Sequence, residues 1–255
     1  MNKNARVYLD NNATTPVLPA VLEAMLPFLS THYGNPSSAH ILGLEAREAV
    51  ETARNRVADL LGCESREVVF TSSATEAINT AIHSAIGFGH RRGRIVTTAV
   101  EHSAVLNYCT ALEEIGIEVA RIGVDNQGVL DWDDFQNAVQ PGTLLVSVMW
   151  ANNETGVTLP IQRISELCQA NGVLLHVDAV QAAGKVPISL QALAIDYLSI
   201  SAHKMFGPKG TGALIVRDRA PFHPLLHGGH QEVGRRGGTE NVAGVVGFGV
   251  AAVLA

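Results

Sequence analysis

Between residues 68 and 216 short apolar runs alternate with longer amphipathic ones, and few architectures accept that rhythm. Strand-like runs fall at 68–71, 95–98, 118–122, 144–149, 173–177, 197–200 and 213–216. Helical spacing fills several of the gaps, at 76–86, 104–115, 132–139 and 161–171. Several of the strand runs are unbroken Val, Ile and Leu, the pattern of a sheet covered on both faces. The pattern implies an α/β protein: a three-layer αβα sandwich on a mainly parallel, roughly seven-stranded sheet with right-handed crossovers.

The flanks are helical. Residues 6–16 read as a short strand entering a polar turn, and residues 17–30 as one helix with Pro16 near its start. Residues 33–38 cluster Gly, Asn, Pro and Ser, as a loop does. From 44 to 61 an amphipathic helix places Ala46, Ala49, Val50, Ala53, Val57, Leu60 and Leu61 on one face, and Gly62 stops it. Residues 242–255 form an apolar, alanine-rich helix with no stop signal, so the chain is expected to be cut within or just after a helix.

Composition excludes several functions. A net charge of −6 argues against a general nucleic-acid binder, which needs clustered Lys and Arg. Arg91, Arg92 and Arg94 form one basic knot, read as a solvated loop between glycines. Cys63, Cys109 and Cys168 are odd in number and form no CxxC, which points to a reducing compartment rather than a disulfide or zinc framework. No apolar run approaches the ~20 residues of a membrane span, and no leader opens the chain. A cytoplasmic protein without membrane contact is expected. His223, His227 and His230 complete no metal site by spacing, and no metal is expected.

The chemistry gathers at strand ends. Lys204 follows the 197–200 run in Ser201-Ala202-His203-Lys204, where open α/β sheets place their sites. A lysine there can lose its proton and condense with a carbonyl, or can be a surface residue beside a turn. Asp178 ends the 173–177 run and fits either an anion partner for a pyridine nitrogen or a helix cap. Gln181, three residues on, is a candidate for the phenolic oxygen of the same ring, or an ordinary loop glutamine.

Thr71-Ser72-Ser73-Ala74-Thr75-Glu76 brings small hydroxyl residues to a strand-to-helix junction, where free amides and the helix dipole face an anion. The same segment serves equally as a plain N-cap. Ser201 and His203 add donors. His102, at a second such junction, can stack on a ring and shuttle protons, or hold the junction by hydrogen bonding. The turn at 152–156 brings an amide to the same rim. A Schiff-base lysine, an anion for a ring nitrogen, a phosphate cradle and a ring platform are together the parts of a pyridoxal 5'-phosphate pocket.

Five segments in order, at 8–16, 34–38, 151–156, 176–181 and 238–242, make the chain resemble the cysteine desulfurases, class V aminotransferases of fold type I. The resemblance implies that Lys204 binds the cofactor covalently and later takes the α-proton of L-cysteine. It implies that Asp178 pairs with the pyridine nitrogen, Gln181 bonds the phenolic oxygen, and His102 stacks and acts as acid–base. By the same resemblance Ala74, Thr75, Ser201 and His203 hold the phosphate and Asn153 touches the cofactor. Thr239 resembles the residue that reaches the partner subunit's phosphate, which implies a homodimer. The implied activity converts L-cysteine to L-alanine and passes sulfur, as a persulfide, to an acceptor such as an iron–sulfur scaffold protein.

The departures are Ser73, Ala202 and His230, where the family usually has glycine, and Gly237, where it has serine. In the resemblance the nucleophilic cysteine and the carboxylate-binding arginine lie beyond position 255, and none of the three cysteines matches the former. Residues 1–15 are expected to belong to a small domain and 16–255 to be the large cofactor domain, without the rest of the small domain and with turnover impaired. The alternatives are a selenocysteine lyase or other class V enzyme, and a noncatalytic truncated module that holds cofactor or only dimerises.

Overall fold

Neighbouring residues of each strand enter two different apolar cores, which is why the strands read as unbroken apolar runs. The computed structural model describes residues 7–89 and 93–255. Its helices are α1 (Pro19–Met25), α2 (Pro27–Ser30), α3 (Ile41–Leu61), α4 (Ala74–Phe88), α5 (Ser103–Glu114), α6 (Trp132–Ala138), α7 (Ile161–Asn171) and α8 (Val242–Leu254). Its strands are β1 (Val68–Thr71), β2 (Arg94–Thr98), β3 (Glu118–Ile122), β4 (Thr143–Met149), β5 (Leu174–Asp178), β6 (Tyr197–Ser201) and β7 (Gly212–Val216). They form one sheet in the order β1-β7-β6-β5-β4-β2-β3. The pairs from β6 through to β3 are parallel, while β7 runs antiparallel to both of its neighbours.

Val69, Ile95, Leu145 and Leu214 pack with α4 and α5 on one side of the sheet. Val68, Val96, Val146 and Ile215 pack with α3, α6, α7 and α8 on the other. Each such side chain contributes roughly 1.5–3 kcal/mol on burial, and both faces collect it. On the second side α3 and α8 meet backbone to backbone: a Cβ on Gly249 would lie 2.6 Å from Ala53 Cα. The sheet is thereby closed on both faces, and polar chemistry is left to its edges and strand ends.

Two expectations need correction. The single helix at 17–30 is two, α1 and α2, because Pro27 lacks an amide proton and starts a helix of its own. The short strand expected at the start of residues 6–16 is not found among the described residues 7–16; Arg6 lies outside the described residues. Val7 and Leu9 are 81% and 85% exposed, and no strand of the sheet pairs with them. Arg91 and Arg92 also lie outside the described residues, while Arg94 opens β2 rather than sitting in a loop.

Because β2, β4, β5 and β6 run parallel, their carboxyl ends share one edge. The antiparallel turn through β7 brings the end of β1 to that edge too, since Thr71 and Ser201 both pair with Gly212. Helix α4 therefore starts beside the end of β6.

Candidate functional site

A cavity of about 480 Å³ opens at that edge. Ala74, Thr75, His102, Asn153, Asp178, Gln181, Ser201, His203 and Lys204 all line it. Thr239 does not: it lines a separate cavity of about 100 Å³ with Arg236, Glu240 and Thr211.

The start of α4 is drawn tightly against the sheet. A Cβ on Gly212 would stand 2.6 Å from the Ser73 carbonyl carbon and 2.8 Å from the Ala74 nitrogen, so only glycine admits this approach. Ser73 caps the helix, its hydroxyl accepting from the Glu76 amide at 3.2 Å. Its φ of −170° is ordinary extended backbone, so serine in place of the family's usual glycine is unstrained. The amides of Ala74 and Thr75 precede the first intrahelical hydrogen bonds and face the cavity end with the helix dipole behind them. Thr71 Oγ1 donates to the Ser73 carbonyl at 2.8 Å, which fixes the turn. Glu76 accepts from the Ser72 amide at 2.9 Å and from Arg236 at 2.8 Å. Burial opposes the charge on Glu76, but the hydrogen bonds from Arg236 and Ser72 outweigh it and hold the carboxyl below its usual range.

Asp178 is buried at the end of β5 and takes the Val180 amide on Oδ1 at 2.9 Å. Burial raises its pKa; the Val180 amide, His102 and Lys204 pull the other way. His102 caps α5, with Nδ1 3.1 Å from the Ala104 amide. That contact makes Nδ1 the acceptor and leaves Nε2 to carry the ring proton. The cap and the catalytic reading thus coexist in one side chain.

Lys204 closes a 3-10 turn after β6. Its Nζ donates to the main-chain carbonyl of Asn12 and, at 2.9 Å, to that of Ala13. Burial and then the neighbouring Lys185 lower its pKa, with Asp10 and Asp178 opposing. Gln181 donates to the Asn12 carbonyl at 2.9 Å and accepts from Lys185 Nζ at 2.6 Å. His203 Nδ1 lies 3.1 Å from Thr14 Oγ1, and burial pushes its pKa down. Ser201 is buried beside Gly212. Asn153 receives Asn12 Nδ2 on its carbonyl at 3.1 Å, at the outer rim.

Sequence reasoning missed several members. Asp10, Asn12 and Ala13 line the cavity; the 10–15 segment is anchored by Thr15, whose amide and hydroxyl both donate to the His203 carbonyl. The segment's motif was legible, but its use of main-chain oxygens leaves no side-chain signal. Glu101 was also missed. It is buried next to His102 in the chain and accepts from Thr98 Oγ1 at 2.7 Å. Burial, with the nearby charge of Asp178 adding to it, pushes its pKa up to about 8. Nothing in the sequence separates it from an exposed loop acid.

None of the three cysteines lines the cavity. Burial pushes the thiol of Cys63 up to about 12, of Cys109 to about 11 and of Cys168 to about 12. Among the described residues no three His, Cys, Asp or Glu side chains are grouped to hold a metal, and no helix is long and apolar enough to cross a membrane.

The aminotransferase class-V family model matches residues 7–255. A cysteine desulfurase of Enterobacter agglomerans is 54% identical over 250 residues, covering 98% of this chain and 62% of the relative. The chain thus spans about 62% of the length of such curated relatives. Among solved structures, a NifS-like protein superposes with a TM-score of 0.95 at 45% identity, over 98% of this chain and 69% of that one. SspA in complex with cysteine follows with a TM-score of 0.94 at 40% identity, over 97% and 72%.

Proposed function

The chain belongs to the class-V aminotransferase family, and from that premise we propose that it is the cofactor-binding portion of a pyridoxal-phosphate-dependent cysteine desulfurase. Such an enzyme turns L-cysteine into L-alanine and hands on the sulfur as a persulfide. The observation that carries the reading is one cavity in which Lys204, Asp178, His102 and the start of α4 meet.

The donor set fits the cofactor. Ala74 and Thr75 amides, the Ser201 hydroxyl and His203 suit a phosphate, and the Gly212 approach keeps them on one wall. Asp178, with one oxygen held by Val180, has the other for a protonated ring nitrogen. Gln181 suits the phenolic oxygen, and Asn153 the rim beside the substrate. When bound, pyridoxal phosphate supplies an aldehyde for an amine and an electron sink for charge at the substrate's α-carbon.

The chain's own groups do the rest. The lowered pKa of Lys204 raises the fraction of free amine at Nζ, which can attack a carbonyl and afterwards carry a proton. Burial raises the pKa of Asp178, and the Val180 amide, His102 and Lys204 oppose that rise and so favour its carboxylate form. His102, fixed through Nδ1, presents its ring face and an Nε2 proton. No cysteine of this chain reaches the cavity, so this reading needs a thiolate from outside these 255 residues to take the sulfur. In the same proposal residues 1–15 belong to a small domain and 16–255 to the large one. Two copies pair so that Thr239 of each approaches the other's phosphate site, and an acceptor such as an iron–sulfur scaffold receives sulfur in the cytoplasm.

The test is the visible spectrum of the purified chain with pyridoxal phosphate, before and after L-cysteine, with alanine assayed in parallel. The expected result is a cofactor band that L-cysteine perturbs and that Lys204→Ala lacks, without alanine from this chain alone. No band, or one indifferent to Lys204→Ala, overturns the assignment.

A further inference from the structure

Away from the cavity, the loop after β7 carries the most strained backbone outside the lysine turn. Glu232 and Val233 both stand in the left-handed region, at φ 48° and 58°. A β-branched residue avoids that region, and Val233 is 89% exposed, so no packing of its own holds it there. Such strain persists only where the surroundings over-determine it.

Here the surroundings are Glu232. Its side chain is buried and accepts from Arg54 Nη1 at 2.7 Å, from Arg54 Nη2 at 2.8 Å and from the Phe70 amide at 2.9 Å. Arg54, also buried, donates to the Val68 carbonyl at 2.9 Å and lies over the Phe70 ring at 4.9 Å. Arg235 reaches the same Val68 carbonyl at 3.2 Å. The loop is thus bolted to the edge strand β1 on the side its sheet neighbour does not use. One residue further, Arg236 grips Glu76 in the first turn of α4 at 2.8 and 3.2 Å. A buried ion pair gains little net stability after desolvation, and its better-attested use is to fix one geometry.

We propose that the buried Arg54–Glu232 pair is a positioning element: it holds the 230–241 loop in its strained course and so sets where Thr239 stands for a second copy of this chain. The part concerning Thr239 rests on the proposed function; the bolting of the loop does not. Arg54 and Glu232 act through the loop and touch neither substrate nor cofactor.

Amide hydrogen exchange and sedimentation equilibrium on the whole chain test it, with Glu232→Gln, Arg54→Lys and Thr239→Ala. The amides to follow are Gly234, Arg235 and Gly237, each bonded within or beside the loop. In the wild type they are expected to exchange far more slowly than exposed-loop amides. Free exchange there overturns the proposal even where a variant fails to fold. Glu232→Gln and Arg54→Lys should each speed their exchange at least tenfold, leave β5 amides unchanged and weaken self-association at least tenfold. Wild-type exchange in both variants overturns the positioning role, whatever Thr239→Ala does. A loosened loop with association indifferent to all three variants keeps the bolt and removes the role of Thr239 instead.

Discussion

Lys204 and Asn12, 192 residues apart, are joined by a hydrogen bond from the lysine ammonium to a main-chain carbonyl. Gln181 donates to the same oxygen at 2.9 Å. One backbone atom thus ties the amino-terminal segment to two groups of the cavity. Since the acceptor is main chain, Asn12→Ala keeps it and loses only the 3.1 Å bond from Asn12 Nδ2 to Asn153. Cofactor affinity in Asn12→Ala is expected to change less than about threefold, under 1 kcal/mol. Titration of the purified chain with pyridoxal phosphate checks it.

Asp178→Asn should fold and bind cofactor poorly. The amide keeps the shape and can still accept from Val180, but it removes the negative charge that a ring N–H needs. A loss of at least about tenfold in affinity, or ~1.4 kcal/mol, is expected. Equal affinity in the two proteins, with equal melting temperatures, would remove Asp178 from the site.

Glu101 gives the fold a pH dependence. Its folded pKa is raised from 4.5 to about 8, so the folded chain keeps a proton that the unfolded chain releases. Its contribution is fully present below pH 4.5 and is lost as pH rises toward 8, on the order of 4 kcal/mol across the window. Glu101→Gln, which stays neutral, should lose less stability than the wild type between pH 5 and pH 8. Urea unfolding at the two pH values measures this; parallel losses would mean that Glu101 ionises normally.

Gly212→Ala tests the close approach of α4. The added Cβ has no room against Ser73 and Ala74, so the helix start must retreat. Overpacking of this kind costs about 1–3 kcal/mol, and the phosphate end of the cavity should suffer with it. Melting temperature and inorganic phosphate competition against pyridoxal phosphate should both fall; unchanged values would mean that α4 does not need this register.

The sheet was legible because both faces are covered: runs such as Leu145-Val146 and Leu214-Ile215 feed opposite cores and so read as unbroken apolar sequence. Strand ends carrying Asp178 and Lys204 were legible for the same reason, as polar residues where an apolar run stops. Pro27 was read as part of a helix because helical spacing continues through it, although its missing amide splits the helix. The 7–10 segment looked like a strand by composition, yet composition supplies no neighbour to pair with. Glu101 and the carbonyls of Asn12 and Ala13 stayed hidden, since burial and main-chain contacts over long separations have no local signature. Thr239 was named by resemblance alone and lies outside the main cavity, in a smaller one that Glu232 and Arg236 also line.

The most direct test of the central claim is to reduce the chain with borohydride in the presence of pyridoxal phosphate and map the labelled peptide. Two amines compete, since burial also lowers the pKa of Lys185, which reaches Gln181 at the cavity wall. The cavity geometry predicts stoichiometric label on Lys204 alone, lost in Lys204→Ala without transfer to Lys185. Label chiefly on Lys185, or spread over surface lysines at the same level, would contradict it.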